Sequence, residues 1–400
     1  MADAVVVTGL GVISPLNPDG EQRRFWASLC AGETAVREIR SFDASAYPSR
    51  VAAEVNRVPL RQEGMDTDPA LGMAEAAFQL ALDEAGIRGE VGDPRRAGVI
   101  VGTVLGGTIS GERYLRAKSA GGCGTVKGLE QYPLRTIAAS LARTAGFSGP
   151  VLTVSTACAS GTDAIGIGYR KVASGSADLI VAGGVDAICE LSFSGFCALK
   201  VLTPDAVRPF SRNRTGLALG EGAAFLVLER ETAAVHRGAA VLGRIAGYAS
   251  RSDAVHLTAP HRDGRGLAAA AIAALRDGGC HPEDIGYVNA HGTGTLYNDW
   301  METKAIKTAL GDHARAVPIS SIKAALGHSF GAAGAIEAAA CLLAIRDGIV
   351  PPTANFEEPD PECDLDFVPN VARRVTARAA LSVSAGFGGQ NAGLLIRGGG

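Results

Sequence analysis

The sequence predicts an α/β protein built as one compact unit of two similar halves. Three observations carry this. Apolar runs of strand length recur along the 400 residues, flanked by glycine. Helical patterns lie between them and end in glycine, and the last 150 or so residues replay the same grammar.

The strand-like runs of the first half are AVVVTG (4–9), AGVIVGT (97–103), PVLTVST (150–156), DLIVAGG (178–184) and GAAFLVLER (222–230). Their length and uninterrupted apolar character suit strands buried on both faces. The intervening patterns PALGMAEAAFQLALDEAG (69–86) and SGTDAIGIGYRKVASG (160–175) read as helices stopped by glycine. The second half gives VLGRIAGYA, RGLAAAAIAALRDGG, DIGYVNAHGTG, DWMETKAIKTALG, VPISSIK, GAAGAIEAAACLLAIRDG, AALSVSAGFGG and NAGLLIRGG. TVSTACASGTDAIGI and ISSIKAALGHSFGAAGAI echo each other: a strand runs into small residues and then an Ala-rich helix. The halves are expected at 1–245 and 246–400.

Composition narrows the function classes. Hydrophobic residues make up 47%, charged residues 20%, and the formal net charge is −3. That is ordinary globular usage, with no charge bias toward nucleic acid or an anionic membrane. The eight cysteines stand singly, without CxxC pairs, so neither a disulfide framework nor a zinc knuckle is expected and a reducing cytoplasm is the simplest home. MADAVVVTGLGVISP lacks a basic leader, and GAAGAIEAAACLLAI is too short for a membrane span and carries Glu337. The 52 glycines, about twice average usage, cluster at the ends of apolar runs and point to glycine-lined functional loops.

Four stretches bear chemistry. In VSTACASGTDAIGIGYRKVASG, Cys158 falls at a strand-to-helix turn, where the helix N-terminus favours a thiolate and small neighbours let backbone N–H groups approach a substrate carbonyl. The alternative is a buried cysteine acting as a small hydrophobe. VNAHGTGTLYNDWMETKAI delivers His291 into a Gly-Thr-Gly-Thr loop; a lone histidine is more often structural. ISSIKAALGHSFGAAGAIE holds Lys323 and His328 five residues apart, Lys323 being otherwise a strand-end lysine paired with a carboxylate such as Glu337. SVSAGFGGQNAG puts Phe387 in a glycine turn, either a packing corner or an active-site loop. Taken together, a thiol, two imidazoles and an ammonium at strand ends beside glycines suit acyl transfer: the thiolate takes the acyl group, and neutral imidazoles donate to an oxygen that becomes negative.

TACASG, NAHGTGT, SIKAALGHSFGAAG and GFGGQNA, with RPFSRNRTGLALGEGAAFLVLE (208–229) and VVVTGLGVISP, together resemble the β-ketoacyl-acyl carrier protein synthases over nearly the whole chain, the type II long-chain condensing enzyme and type II polyketide ketosynthases above all. The resemblance implies a thiolase-like fold, two βαβαβ-type halves with helices layered between and outside two mixed sheets. It implies an acyltransferase that condenses an acyl chain held on Cys158 with malonyl-carrier, in fatty acid or polyketide elongation. His291 and His328 would promote decarboxylation. Lys323 would orient His328, with Glu337 as its partner. The N–H groups of Cys158 and Phe387 would form an oxyanion hole, Phe387 would gate the acyl pocket, and Thr293 and Thr295 would hold the phosphopantetheine arm. It implies no cofactor or metal on the enzyme, an acyl carrier protein as partner, and a homodimer or a heterodimer with a ketosynthase-like chain.

Three departures stand out. Ala385 replaces a bulky aromatic beside Phe387, Ala324 replaces a serine after Lys323, and RQEGMDTD offers only Arg61 beside Glu63 for an acidic carrier, with Arg208 as another basic position. Two rival readings, a non-catalytic chain-length-factor-like subunit and a thiolase-type acyltransferase, are opposed by Cys158 with two histidines and by the absence of a second cysteine in GFGGQN. A nucleotide-binding oxidoreductase is opposed by TGLGVIS, which has only two of the three glycines required.

Overall fold

The structure, a computed structural model, describes residues 3–56, 67–89, 91–122 and 128–399; Arg61 and Glu63 lie outside them. The first half contributes β1 (Val5–Ile13), β2 (Ala97–Gly102), β3 (Val151–Val154), β4 (Leu179–Asp186) and β5 (Gly222–Arg230). The second contributes β6 (Gly243–Ser252), β7 (Tyr287–Asn289), β8 (Ile319–Ser320), β9 (Ala379–Gly386) and β10 (Gln390–Arg397). The main helices are α1 (Pro69–Glu84), α2 (Arg135–Ala145), α3 (Ser160–Ala173), α4 (Glu190–Ala198), α5 (Arg265–Asp277), α6 (Leu296–Leu310) and α7 (Ala333–Asp347).

Each half forms a mixed five-stranded sheet of the same order, β3-β2-β4-β5-β1 and β8-β7-β9-β10-β6. In each, two parallel pairings on one side give way to antiparallel ones toward the first strand. The expected two sheets are joined edge to edge: β1 pairs antiparallel with β6 through Val5–Ile245, Val6–Arg244 and Val7–Gly243, making ten continuous strands. The first strand also runs to Ile13, beyond the apolar stretch that ends at Gly9. Gly11 allows the extension, because a Cβ there would lie 1.9 Å from the Ala77 carbonyl oxygen of α1.

Helices α3 and α7 touch strands of both halves and lie between them; α1 and α2 cover the outer face of the first half, α5 and α6 that of the second. The central core joins Val5, Leu226 and Leu228 to Ile165, Ile336, Leu342 and Leu343. Every residue from Ala333 to Ala344 is buried. Alanine suits this position twice over, as the best helix former and as a side chain small enough for helices to sit close. Each fully buried Leu or Ile adds about 1.5–3 kcal/mol. Gly348, at φ 64°, ends α7 in the left-handed conformation.

That inner layer positions the site. Helices α3 and α7 occupy equivalent places in the two halves, and their N-terminal ends meet. A Cβ on Gly161 of α3 would sit 2.6 Å from the Gly331 carbonyl oxygen, just before α7. The turns that precede the two helices, carrying Cys158 and His328, are thereby brought face to face.

Candidate active site

Cys158 follows β3 in a turn whose preceding residue, Ala157, has φ 50°. A left-handed alanine costs roughly 1–2 kcal/mol and persists only if its surroundings enforce it. Here the Thr156 N–H donates to Ser160 Oγ (2.9 Å), and the Thr156 hydroxyl donates to Asp163 Oδ2 (2.5 Å). Asp163 also accepts from the Tyr248 hydroxyl of β6 at 2.8 Å, so the second half helps to hold the turn.

Single donor atoms of Cys158, His291 and His328 lie within 4.8 Å of one another, all three residues buried. The imidazole centroids are 5.3 Å apart with planes at 87°. Lys323 is the first residue of a one-turn helix, Lys323–Leu326, rather than the end of a strand. Its Nζ pairs with the Glu337 carboxylate and donates to His291 Nδ1 at 3.3 Å. The expectation that Lys323 orients His328 is therefore corrected: the ammonium reaches His291, and His328 Nδ1 accepts instead from the Phe330 N–H at 3.2 Å. With both Nδ1 atoms accepting, each neutral ring carries its proton on Nε2. Burial, reinforced by the Lys323 charge, pushes both imidazoles well below the ordinary histidine range, so both are neutral at physiological pH.

Cys158 behaves differently from the sequence expectation. Burial pushes its thiol up to about 11, against the Lys323 ammonium and a hydrogen bond from the Phe387 N–H, which favour the thiolate. Desolvation outweighs position beside a helix N-terminus, and the resting residue is a thiol. The Phe387 ring stacks on Phe196 of α4 at 5.6 Å and 18°.

These groups open on a cavity of about 260 Å³ that also meets Phe196, Thr293, Thr295 and Ala385. The Thr293 and Thr295 hydroxyls lie 2.9 Å apart. A larger, charged cavity of about 1010 Å³, bordered by Glu112, Arg116 and Glu190, contains none of the candidate catalytic side chains. Ala324 faces Val36, Ala53, Val207 and Ala218 in an apolar cluster, so its missing hydroxyl leaves no gap at the site. Arg208 is not a free cation for a carrier: its guanidinium is held at 2.9 Å by both Asp205 and Glu357.

Other residues at the site were not anticipated. Glu302 of α6 accepts from the N–H groups of His291 and Gly292 (2.7 Å for the latter) and so sets the histidine loop. An acid eleven residues after His291, on the helix that leaves its loop, is the signal for it. Asp186 closes an otherwise apolar strand, itself a signal. Phe330, at φ 48°, has no sequence signal.

A sheet of two like halves, with a cysteine and two neutral histidines where their inner helices meet, defines a thiolase-like condensing enzyme. The chain belongs to the β-ketoacyl synthase family: the N-terminal-domain model matches residues 2–234 and the C-terminal-domain model residues 242–357. It is 44% identical to the tetracenomycin polyketide synthase ketoacyl synthase alpha subunit of Streptomyces glaucescens, over 98% of this chain and 97% of that one. It is 39% identical to 3-oxoacyl-[acyl-carrier-protein] synthase 2 of Synechocystis sp., over 98% and 97%. Among solved structures, the ishigamide ketosynthase/chain length factor aligns with TM-score 0.92 and 37% identity over the whole of both chains. A type II polyketide synthase acyl carrier protein in complex with its ketosynthase bound to the hexaketide aligns with TM-score 0.92 and 33% identity, again over both whole chains. The enzyme is accordingly an acyltransferase of the ketosynthase type.

Proposed function

We propose that this chain is the catalytic ketosynthase of a type II polyketide system, extending an acyl chain by decarboxylative Claisen condensation with malonyl-acyl carrier protein. The observation that carries the reading is the convergence of Cys158 with the two Nε2–H donors of His291 and His328. Cys158, losing its proton, attacks the acyl thioester; the phosphopantetheine thiolate leaves and takes up that proton. The Cys158 and Phe387 N–H groups hold the carbonyl oxygen as it becomes negative. Malonyl-carrier then enters, with its arm against Thr293 and Thr295. Both imidazoles donate to its thioester oxygen while the carboxylate departs as carbon dioxide, and the resulting enolate carbon attacks the Cys158 thioester and expels the thiolate. Lys323, held by Glu337, keeps His291 in the tautomer that donates. The whole sequence uses protein side chains and the carrier's own arm, with no metal or redox group on the enzyme.

The relatives named for polyketide assembly support that pathway over primary fatty acid synthesis. Cys158 opposes a non-catalytic chain-length-factor role. The outer strand β3, with Val151 and Leu152 at 37% and 39% exposure, offers an open sheet edge that suits a second ketosynthase-like chain, identical or homologous. No helix among the described residues is long and apolar enough to cross a membrane, in keeping with a cytoplasmic enzyme acting on a carrier protein.

Intact mass after incubation with acyl-carrier thioesters of graded length tests the reading. An acyl adduct on the wild type and none on Cys158→Ala is the expected result. No adduct from any donor, even with a ketosynthase-like partner and cognate carrier supplied, would overturn it.

A further inference from the structure

We infer that Asp186 is a positioning residue for His328, pinning the Phe330–Gly331 turn whose backbone sets that imidazole's tautomer. The inference rests on the decarboxylating role proposed above for His328.

Asp186, the last residue of β4, is completely buried and accepts from four donors in two separate segments. Oδ1 takes the Thr103 hydroxyl at 2.7 Å and the Leu105 N–H at 2.8 Å. Oδ2 takes the Val104 N–H at 2.9 Å and the Gly331 N–H at 2.7 Å. Both oxygens are thus saturated by donors, the arrangement that suits a carboxylate. The Gly331 contact is the informative one. Its neighbour Phe330 is a non-glycine residue in left-handed backbone, a conformation that survives only when something on each side enforces it. On one side stands His328, whose Nδ1 accepts the Phe330 N–H. On the other stands Asp186, holding the next N–H. Space allows no relaxation between them: a Cβ on Gly331 would lie 2.7 Å from Asp186 Oδ2 and 2.8 Å from Thr103 Cα. Without the carboxylate, the turn loses its anchor and its reason to keep Phe330 strained. The Phe330 N–H then drifts from Nδ1, the proton is free to occupy either ring nitrogen, and Nε2 no longer reliably donates.

The carboxylate also acts against ionisation of Cys158, which separates positioning from general damage. Removing Asp186 is expected to weaken the histidine-dependent step while leaving the thiol at least as easily alkylated. The test compares carbon dioxide release from malonyl-acyl carrier protein with iodoacetamide alkylation of Cys158, in the full chain with any partner it requires. Asp186→Ala is expected to lose roughly tenfold or more in kcat for decarboxylation, as displaced catalytic groups do, with KM unchanged and alkylation not slowed. Asp186→Asn is expected to fall between wild type and Asp186→Ala, because its oxygen can still take the Gly331 N–H while its NH2, though the Thr103 hydroxyl can rotate to accept from it, faces the Leu105 N–H, a donor that cannot accept. If Asp186→Ala does not fold, Thr103→Val decides the matter: it removes one donor and is expected to show a selective loss of roughly threefold, the scale of one hydrogen bond. Decarboxylation equal to wild type in the folded variant would overturn the inference, as would parallel loss of alkylation and decarboxylation that tracks melting temperature. Wild-type protein that releases no carbon dioxide would overturn the role proposed for His328, and the inference with it.

Discussion

Gly161 packs against Gly331 so closely that neither half of the site could be placed without the other: the Gly331 carbonyl oxygen would lie 2.6 Å, and Ala335 N 2.9 Å, from a Cβ at position 161. Backbone, not a flexible side chain, stands in the way. Gly161→Ala is expected to push α3 from α7, widen the Cys158–His328 separation and cut condensation by at least roughly tenfold. Overpacking of this kind also costs about 1–3 kcal/mol. Steady-state turnover and thermal melting check both. Unchanged turnover would mean the two helix ends move together.

The buried thiol gives a pH signature. With its pKa raised to about 11, the thiolate fraction of Cys158 grows tenfold per pH unit through the neutral range. Iodoacetamide alkylation should therefore climb from pH 7 to 9.5 without a plateau. A plateau near pH 7 would show the helix N-terminus prevailing over burial. Lys323→Met, which removes a charge that favours the thiolate, should slow alkylation further at every pH.

The histidines give the opposite signature. Their folded-state values lie well below 6.5, so neither takes a proton as the pH falls through that value. Malonyl-carrier decarboxylation should stay level from pH 8 down to 6, whereas a fall centred near 6.5 would reveal an imidazole that does protonate. The unfolded chain does bind those protons. Stability contributed by the two neutral rings is therefore present above about 6.5 and is lost as the pH drops below it. Denaturant titration of wild type and His291→Ala at pH 7.5 and 5.5 measures the difference.

Phe196 backs the Phe387 ring and also packs edge-on to Phe330, centroids 5.6 Å apart in both cases. Phe196→Ala should free the Phe387 ring and relax the preference for acyl length, broadening the adduct distribution in a mixed-donor competition read by intact mass. Cavity formation costs about 3–5 kcal/mol for a Phe→Ala change in a packed core, and less here because the ring faces a pocket. An unchanged distribution would show that Phe387 is held by its backbone alone.

A buried ion pair lies behind the Thr295 loop, where the Arg214 guanidinium also donates to the Thr295 and Leu296 carbonyls. Arg214, its side chain wholly buried, pairs with Asp360 at 2.6 Å beneath the Trp300 ring. Arg214→Met leaves Asp360 without its cation, and a loss of about 3–5 kcal/mol in unfolding free energy is expected. Urea titration checks it, and a change under about 1 kcal/mol would show that the carboxylate finds water.

Much of the site was readable from residue type and neighbourhood. Cys158, His291 and His328 each stand near glycine after an apolar run, and the structure gathers them around one small pocket, with Lys323 behind His291. What escaped was the choice of partners. Lys323 stands only five residues before His328 and 32 after His291, yet its ammonium donates to His291, a pairing that the fold makes and sequence distance does not suggest. Glu302 and Asp186 left traces in the sequence, an acid on an exiting helix and an acid ending an apolar strand, but what they hold could not be read from those traces.

The sequence by itself determined the α/β class, the two like halves and the residues capable of acyl transfer, since these depend on periodicity, glycine punctuation and side-chain chemistry that act locally. Only the tertiary structure decided the protonation and aim of those residues. Whether Cys158 rests as thiol or thiolate, which nitrogen of each imidazole carries its proton, and which histidine Lys323 serves all follow from burial and from partners far apart in the chain. Desolvation and hydrogen bonding act over a few ångströms of space, whatever the distance along the sequence.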